Sequence, residues 1–209
     1  MKRIDKVETA IEALRKGQMI ILADDEDREN EGDLVLAAEH ATPEAINFMI
    51  THARGLVCLT ILPQLAQKLR LSPMVVENSD PHATNFTESI DGIPSEGVST
   101  GISAYDRART IQLALEENPL KLRKPGHIFP LVARTGGLAE RRGHTEASIE
   151  LMQLAGLYPA AVIVEILNSD GSMARDADLR AFAQKHNLVY TTVNELERHL
   201  RSRDHAAAI

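Results

Sequence analysis

The sequence has little of several residue types that mark particular protein classes. Its 209 residues include one cysteine, no tryptophan and 3% aromatic residues. A single cysteine excludes an internal disulfide and any zinc site built from several cysteines, and it favours a cytoplasmic location. Few aromatic residues and a net charge of -7 argue against nucleic-acid binding, which needs a basic face and often exposed aromatic side chains.

Long apolar runs are also missing. None approaches the ~20 residues that span a bilayer, and the first residues lack the apolar segment of a signal peptide. We therefore expect neither a membrane nor a nucleic-acid partner. With 44% hydrophobic and 25% charged residues, the chain predicts a globular protein with an aliphatic core. No repeat or linker divides it, so we expect a single domain over residues 1–209, with its core at about 5–201 and a frayed tail from 202.

Helical and strand patterns alternate along the chain. Capping boxes of Asp5 with Glu8 and of Ser103 with Asp106 predict two helix starts, and Thr42 before a proline predicts a third. Further helices are predicted at 145–155, 176–186 and 193–201. Short apolar runs predict strands at 19–23, 34–38, 56–61, 128–133, 161–166 and 188–191. Residues 72–101 predict long loops, with one strand near 86–90. The pattern indicates an α/β (α+β) fold, a three-layer αβα sandwich with a mixed β-sheet.

The charge is concentrated in one segment. Residues 24–33 hold seven acidic residues and one arginine, a balance of -6. A solvated loop is the common explanation of such a run. This one is fixed between two predicted strands, at the end of the first, where open α/β sheets place ligand sites, and packed carboxylates suit Mg²⁺. An EF-hand loop starting at Asp27 fails, because its twelfth position is Ala38 rather than a glutamate.

A second candidate site lies where a helix is predicted to begin. Residues 141–146 read Arg-Arg-Gly-His-Thr-Glu. Two arginines, the Thr145 hydroxyl and the free N–H groups of a first helical turn would form a phosphate site. His144 is a candidate metal ligand or acid–base group. The alternative is an ordinary helix start with solvated arginines, which oppose the helix dipole.

Three single residues complete the candidates. Glu165 lies in an apolar strand, where a carboxylate is costly unless it is paired, and such groups often have a raised pKa and a catalytic role. The alternative is a strand-end glutamate that faces water. His127 taken alone would more often be structural, and Cys58 predicts a small buried side chain rather than a nucleophile.

Four motifs in this order resemble the 3,4-dihydroxy-2-butanone 4-phosphate synthase family of riboflavin biosynthesis. The resemblance runs from about residue 5 to 200 and indicates the monofunctional form rather than the fusion with GTP cyclohydrolase II. It rests on Asp24–Asp33, Ser99–Arg107, Arg123–Leu131 and Arg142–Ala147.

The resemblance implies a lyase that converts D-ribulose 5-phosphate to L-3,4-dihydroxy-2-butanone 4-phosphate and formate. It implies Mg²⁺ or Mn²⁺, two ions per active site, and a homodimer with active sites near the interface. Glu29 and His144 match metal ligands. The catalytic matches are His127, Glu165, Asp33 and Glu31. The substrate-binding matches are Arg28, Glu29, Asp33, Arg141, Arg142, Gly143, His144, Thr145, Glu165, Thr100, Asp106 and Cys58.

One position departs from the family pattern. Arg142 stands where the family often has a glycine, so Arg141 is the better match for the phosphate contact, with Arg142 as a competitor. Two other functions stay open on the residues alone. One is a non-catalytic sensor of divalent cations or phosphosugars, and the other is an interaction protein whose acidic loop docks a basic partner.

Overall fold

The computed structural model describes residues 6–207, with side chains described as far as residue 203. Asp5, and with it the first predicted capping box, lies outside the described residues. The helices are α1 Lys6–Arg15, α2 Pro43–His52, α3 Pro63–Lys68, α4 Ala104–Leu115, α5 His144–Ala155, α6 Asp176–His186 and α7 Val193–Ala207. The strands are β1 Ile20–Ala23, β2 Gly32–Ala37, β3 Cys58–Ile61, β4 Ile90–Gly92, β5 Leu122–Val132, β6 Ala160–Glu165 and β7 Val189–Thr192.

The seven strands form one mixed sheet in the order β4-β5-β3-β6-β2-β1-β7. The β1–β7 and β3–β5 pairs are parallel, and the other neighbours are antiparallel. Within residues 6–207, none of the helices has the length and hydrophobicity needed to span a membrane.

Both faces of the sheet are covered by helices. Alternate residues of β2 point to opposite sides, so Leu34 and Leu36 pack in one core while Val35 and Ala37 pack in the other. The first core includes residues of α2, α3, α4 and α6. The second includes residues of α1, α5 and α7. The predicted three-layer αβα sandwich is therefore confirmed.

Helices α2 and α4 begin after the predicted capping residues, but Asp106 has a role other than the predicted one. The Thr42 side chain accepts a hydrogen bond at the start of α2, where Pro43 is the first helical residue. Ser103 caps α4 in the same way. Among the described residues, the Asp106 carboxylate does not accept the hydrogen bond from the Ser103 backbone N–H that a capping box would have. It accepts hydrogen bonds from Ser99 and Gly101, and so fixes the turn before the helix.

Three segments differ from their predicted lengths. Strand β5 begins at Leu122, so His127 lies inside it rather than before it. Its first half pairs with β4, and Gly126 is required there because a Cβ would overlap the backbone of Ile90. The predicted strand at 86–90 is reduced to isolated bridges at Phe86 and Thr87, followed by β4. Helix α7 continues to Ala207.

Candidate functional site

The candidate site is a cavity of about 220 Å³ on the α5 side of the sheet. Its floor is built by neighbouring strands, because Asp33 of β2 pairs with Glu165 of β6, and Ile163 of β6 pairs with Cys58 of β3. The acidic loop and the start of α5 form the walls. The residues that line it are Arg28, Glu29, Glu31, Asp33, Cys58, Asp80, Thr84, Phe86, Leu131, Arg141, His144, Thr145, Ile163 and Glu165. The sequence therefore predicted nine of the residues that meet here.

Asp24 organises the acidic loop, here residues 24–31. Its side chain is fully buried. It accepts hydrogen bonds from Arg28 Nη1 at 2.8 Å and from the backbone N–H groups of Glu29 and Glu31 at 3.1 and 2.8 Å. The loop is thus folded around one carboxylate, which turns the side chain of Glu29 toward α5.

Glu29 lies between two cationic groups. Its Oε2 is 2.8 Å from Arg28 Nη1 and 3.5 Å from His144 Nδ1. Burial alone would raise the pKa of Glu29, but the hydrogen bond with His144 and the charge of Arg28 outweigh it and lower the pKa to about 2. Glu29 is therefore an anion throughout the neutral range.

His144 and Asp33 are buried and interact electrostatically. Burial opposes the charge on His144, but the charge of Asp33 and the hydrogen bond with Glu29 raise its pKa to about 9. Burial raises the pKa of Asp33 to about 7, against the opposing effect of the His144 charge. Asp33 therefore keeps its proton to a higher pH than an ordinary aspartate does.

Two buried polar atoms of the cavity residues are available to a ligand. Asp33 Oδ1 and His144 Nε2 have no hydrogen-bond partner among the described residues. Such atoms are rare in folded proteins and call for a water, an ion or a substrate. Carboxylate oxygens are the donors that Mg²⁺ and Mn²⁺ prefer, and the imidazole of His144 can join them when it gives up its proton to a cation, so these residues fit a divalent cation.

Asp24, Glu29 and His144 offer donor atoms that all lie within 4.8 Å of one another. Asp24 is the least suited of the three to bind a cation, because both of its oxygens already accept hydrogen bonds that hold the loop together. Glu29 and His144 remain as the ligand candidates, and their role as ligands stays a prediction.

An anion site adjoins these groups at the start of α5. Arg141 Nη1 is 2.7 Å from Glu146 Oε2, Nε donates to His82 O at 2.9 Å, and Nη2 donates to Thr84 Oγ1 at 2.9 Å. No side chain caps the helix, whose N-cap is Gly143. A Cβ at Gly143 would overlap Arg141 Nη1. The guanidinium, Thr145 and the first-turn N–H groups can therefore bind one phosphate.

Glu165 is the last residue of β6 and is half-buried. Its Oε2 accepts a hydrogen bond from the Leu56 backbone N–H at 2.8 Å. Cys58 is 2% exposed, and burial raises the pKa of its thiol well above the ordinary value. The thiol is therefore a packing group in the cavity wall rather than a nucleophile.

A second group of predicted site residues lies beside the cavity. Within residues 6–207, His127, Thr100 and Asp106 are outside the set that lines it. His127 Nδ1 is 2.8 Å from Asp91 Oδ2. Arg123 Nη2 is 3.4 Å from the same oxygen and donates to Thr100 O at 3.1 Å.

The order and pairing of the strands show where His127 lies relative to the cavity floor. Cys58 pairs with Phe129 on one side and with Ile163 on the other. Strand β3 lies between β5 and β6, so His127 of β5 and Glu165 of β6 belong to strands that are two apart in the sheet. The regular pairing of β5 with β4 is interrupted between Arg123 and Ile128, and His127 lies in this interruption.

Arg142 and Gly143 also stand outside the lining residues. Gly143 shapes the site by giving room to Arg141, whereas Arg142 extends away from the cavity to Asp25 and Glu197. Sequence reasoning missed Asp80, Thr84 and Phe86, which reach the cavity from the segment predicted as long loops. That segment carried a general functional signal, and no local motif marked the three residues.

The chain is similar to proteins of one known family. A family model described as 3,4-dihydroxy-2-butanone 4-phosphate synthase matches residues 8–199. The chain belongs to this family. A relative from Aquifex aeolicus, riboflavin biosynthesis protein RibBA, is 56% identical over 196 residues, which are 93% of this chain and 48% of the relative. A 3,4-dihydroxy-2-butanone 4-phosphate synthase from Pseudomonas syringae pv. tomato is 51% identical over 203 residues, 96% of this chain and 54% of the relative. The part that matches this chain is about half of the length of each of these two curated relatives.

One solved structure of the family matches over nearly its whole length. It is a 3,4-dihydroxy-2-butanone 4-phosphate synthase in complex with two magnesium ions, 38% identical, with a TM-score of 0.90 over 95% of this chain and 97% of that one. A two-domain synthase from A. baumannii is 52% identical, with a TM-score of 0.86, over 91% of this chain and 56% of that one. Family members thus share the mixed sheet and its helical layers.

Proposed function

We propose that the protein is a metal-dependent lyase of riboflavin biosynthesis. It converts D-ribulose 5-phosphate to L-3,4-dihydroxy-2-butanone 4-phosphate and formate, in the cytoplasm. The observation that carries this proposal is the juxtaposition, in one cavity, of the Arg141 anion site with buried, unpartnered atoms of Asp33 and His144. A phosphate and a cation bound there would hold the two ends of a small sugar phosphate.

Arg141, Thr145 and the α5 N-terminus bind the substrate phosphate. Glu29 and His144 would hold the cation, Mg²⁺ or Mn²⁺. Our proposal is two ions per active site, and it is supported by the solved family member that is in complex with two magnesium ions. When bound, the cation supplies Lewis-acid polarisation of substrate oxygens and charge stabilisation. Because Mg²⁺ accepts oxygen donors readily, the carboxylates around Glu29 suit a second ion.

Asp33 is the proposed first base. Its pKa of about 7 matches the pH at which a general base is most effective. It takes a proton from a substrate carbon that bears a hydroxyl and adjoins the carbonyl, which leaves an enediolate. Glu31, which also lines the cavity and whose pKa is raised by burial, is the alternative base. Comparing the pH–rate profiles of Asp33→Asn and Glu31→Gln distinguishes them, because only the true base sets the acidic limb.

Later proton transfers fall to Glu165 and His127. Glu165 lines the cavity, and His127 lies on β5 with Asp91 beside it. Asp91 orients the imidazole through its Nδ1, which leaves Nε2 for proton exchange. The carbon skeleton rearranges, and one carbon leaves as formate.

We further propose a homodimer with its active sites near the interface. The His127 group borders a surface with exposed apolar side chains, among them Ile102 at 55% and Tyr105 at 70% exposure. Exposed apolar side chains around a polar group are typical of an association surface. Sedimentation of the wild type should give the dimer mass, and Tyr105→Glu should shift the equilibrium toward monomer.

The activity test uses the protein with D-ribulose 5-phosphate and Mg²⁺, with formate as the readout. Glu29→Gln should lose formate release at limiting Mg²⁺, whereas Glu26→Gln, an exposed position of the same loop, should match the wild type. Near-normal release by Glu29→Gln would contradict the metal assignment. A sensor would bind the sugar phosphate without turnover, and a docking protein would ignore it.

A further inference from the structure

Adjacent arginines at the start of α5 have different partners. Arg141 contacts Glu146 and the segment at 82–84, beside the cavity. Arg142 turns to the outer side of the acidic loop. Its Nη2 is 2.7 Å from Asp25 Oδ2, and its Nε donates to Glu197 Oε1 at 2.6 Å. One guanidinium thus links the acidic loop to α7.

The far end of the loop is held by another arginine. Arg175, the N-cap residue of α6, donates from Nη1 to the backbone oxygen of Glu29 at 2.8 Å and also to that of Asn30. Arg142 therefore contacts the first part of the loop, at Asp25, and Arg175 contacts its last part, at Glu29 and Asn30. The loop is therefore attached to three helices, since His144 of α5 contacts the Glu29 side chain.

The attachments to Arg142 and Arg175 oppose the electrostatic repulsion within the acidic loop. Seven acidic side chains repel one another within residues 24–33, and Arg28 is the single basic residue among them. Repulsion favours an open loop in which Glu29 is withdrawn from His144. Arg142 and Arg175 act against that opening from outside the loop, and neither lines the cavity in the described part of the chain.

We propose that Arg142 is a positioning residue. Together with Arg175 it holds the acidic loop closed, with Glu29 next to His144, before any cation binds. The inference rests on the proposed function, in which Glu29 and His144 bind the cation. It assigns to Arg142 a task different from the substrate contact that the family resemblance implied.

The direction in which Mn²⁺ affinity changes when Arg142 is replaced distinguishes a positioning role from a purely electrostatic effect of its charge. Arg142 brings a positive charge near a cation site, so its removal in Arg142→Met should tighten cation binding if charge alone matters. If Arg142 positions the loop, the same variant should bind more weakly. The Mn²⁺ affinity of Arg142→Met is measured without substrate, by electron paramagnetic resonance of free Mn²⁺. We expect it to be about fivefold lower than that of the wild type, because the variant loses two partly exposed ion pairs.

Two variants control this measurement. Arg142→Lys keeps the charge but lacks the fork that reaches two carboxylates, and we expect affinity to fall about twofold. Lys68→Met removes an exposed positive charge that pairs with Glu117 in the opposite helical layer. It should leave Mn²⁺ affinity unchanged. Unchanged or tighter Mn²⁺ binding by Arg142→Met would overturn the inference.

Hydrogen exchange gives a readout that needs neither metal nor activity. The N–H groups of Arg28 and Asn30 donate to Asp25 O, and those of Glu29 and Glu31 donate to the Asp24 carboxylate. In Arg142→Met without metal, these four amides should exchange about fivefold faster, with β2 amides unchanged. Unchanged loop exchange would refute positioning even in an active enzyme. Accelerated exchange in a protein that releases no formate would refute the proposed activity alone.

Discussion

Burial of Asp33 predicts an unusual pH dependence of stability in the metal-free protein. The pKa of this carboxyl is about 7 in the folded protein, against an ordinary value of 3.8. Between these values the folded protein keeps a proton that the unfolded chain has released. Its free energy of unfolding therefore falls as pH rises from about 4 to 7. Three pH units correspond to about 4 kcal/mol, since each unit is worth ~1.4 kcal/mol.

Asp33→Asn should remove the part of the pH dependence of the free energy of unfolding that comes from the Asp33 carboxyl. His144 adds to the effect, because its raised pKa of about 9 gives stability that is complete below about 6.5 and is lost as pH rises through 9. The charge of Asp33 is one cause of that raised pKa. We therefore expect the wild type to lose stability steadily from pH 4 to 9, and Asp33→Asn to vary much less.

Urea titrations with EDTA, followed by circular dichroism at several pH values, measure this difference. Asp27→Asn is the matched control, because it makes the same chemical change at an exposed position of the acidic loop. It should keep the wild-type pH dependence. Equal slopes for the wild type and Asp33→Asn would refute the argument that burial raises the pKa of Asp33.

Three further predictions concern the anion site and the core. Glu146→Gln removes the ion pair that orients Arg141, and in steady-state formate assays KM should rise about tenfold while kcat changes less. Gly143→Ala places a Cβ against Arg141, and the same assay should show a raised KM with far-UV circular dichroism unchanged. Leu36→Ala removes a buried side chain from the first core, and urea titration should show about 2–5 kcal/mol lower stability.

Local chemistry made the element pattern predictable. Thr42 and Pro43 define the start of α2, and Gly156, in the left-handed conformation, ends α5. Apolar runs located the central strands because these are buried on both faces. The first half of β5 was hidden, since residues such as Pro125 and Gly126 are typical of turns. Its strand conformation depends on pairing with β4, which local sequence does not reveal.

The candidate site also has a part that could be predicted from the sequence and a part that could not. Motifs identified Glu29, Asp33 and His144 because chemistry restricts those positions to few residue types. The contacts that position them join residues far apart in the chain. Arg142 meets Glu197, 55 positions away, and Arg175 meets Glu29, 146 positions away. No periodicity or spacing encodes such pairs, so only the folded structure revealed them.

We propose that this cavity turns D-ribulose 5-phosphate into a four-carbon phosphate and formate with the help of a divalent cation. The test measures formate released against D-ribulose 5-phosphate consumed, with Mg²⁺ and then with EDTA. We predict a one-to-one ratio with Mg²⁺ and neither release nor consumption with EDTA. Sugar phosphate recovered unchanged with Mg²⁺, or consumed without formate, would show that the proposed activity is wrong.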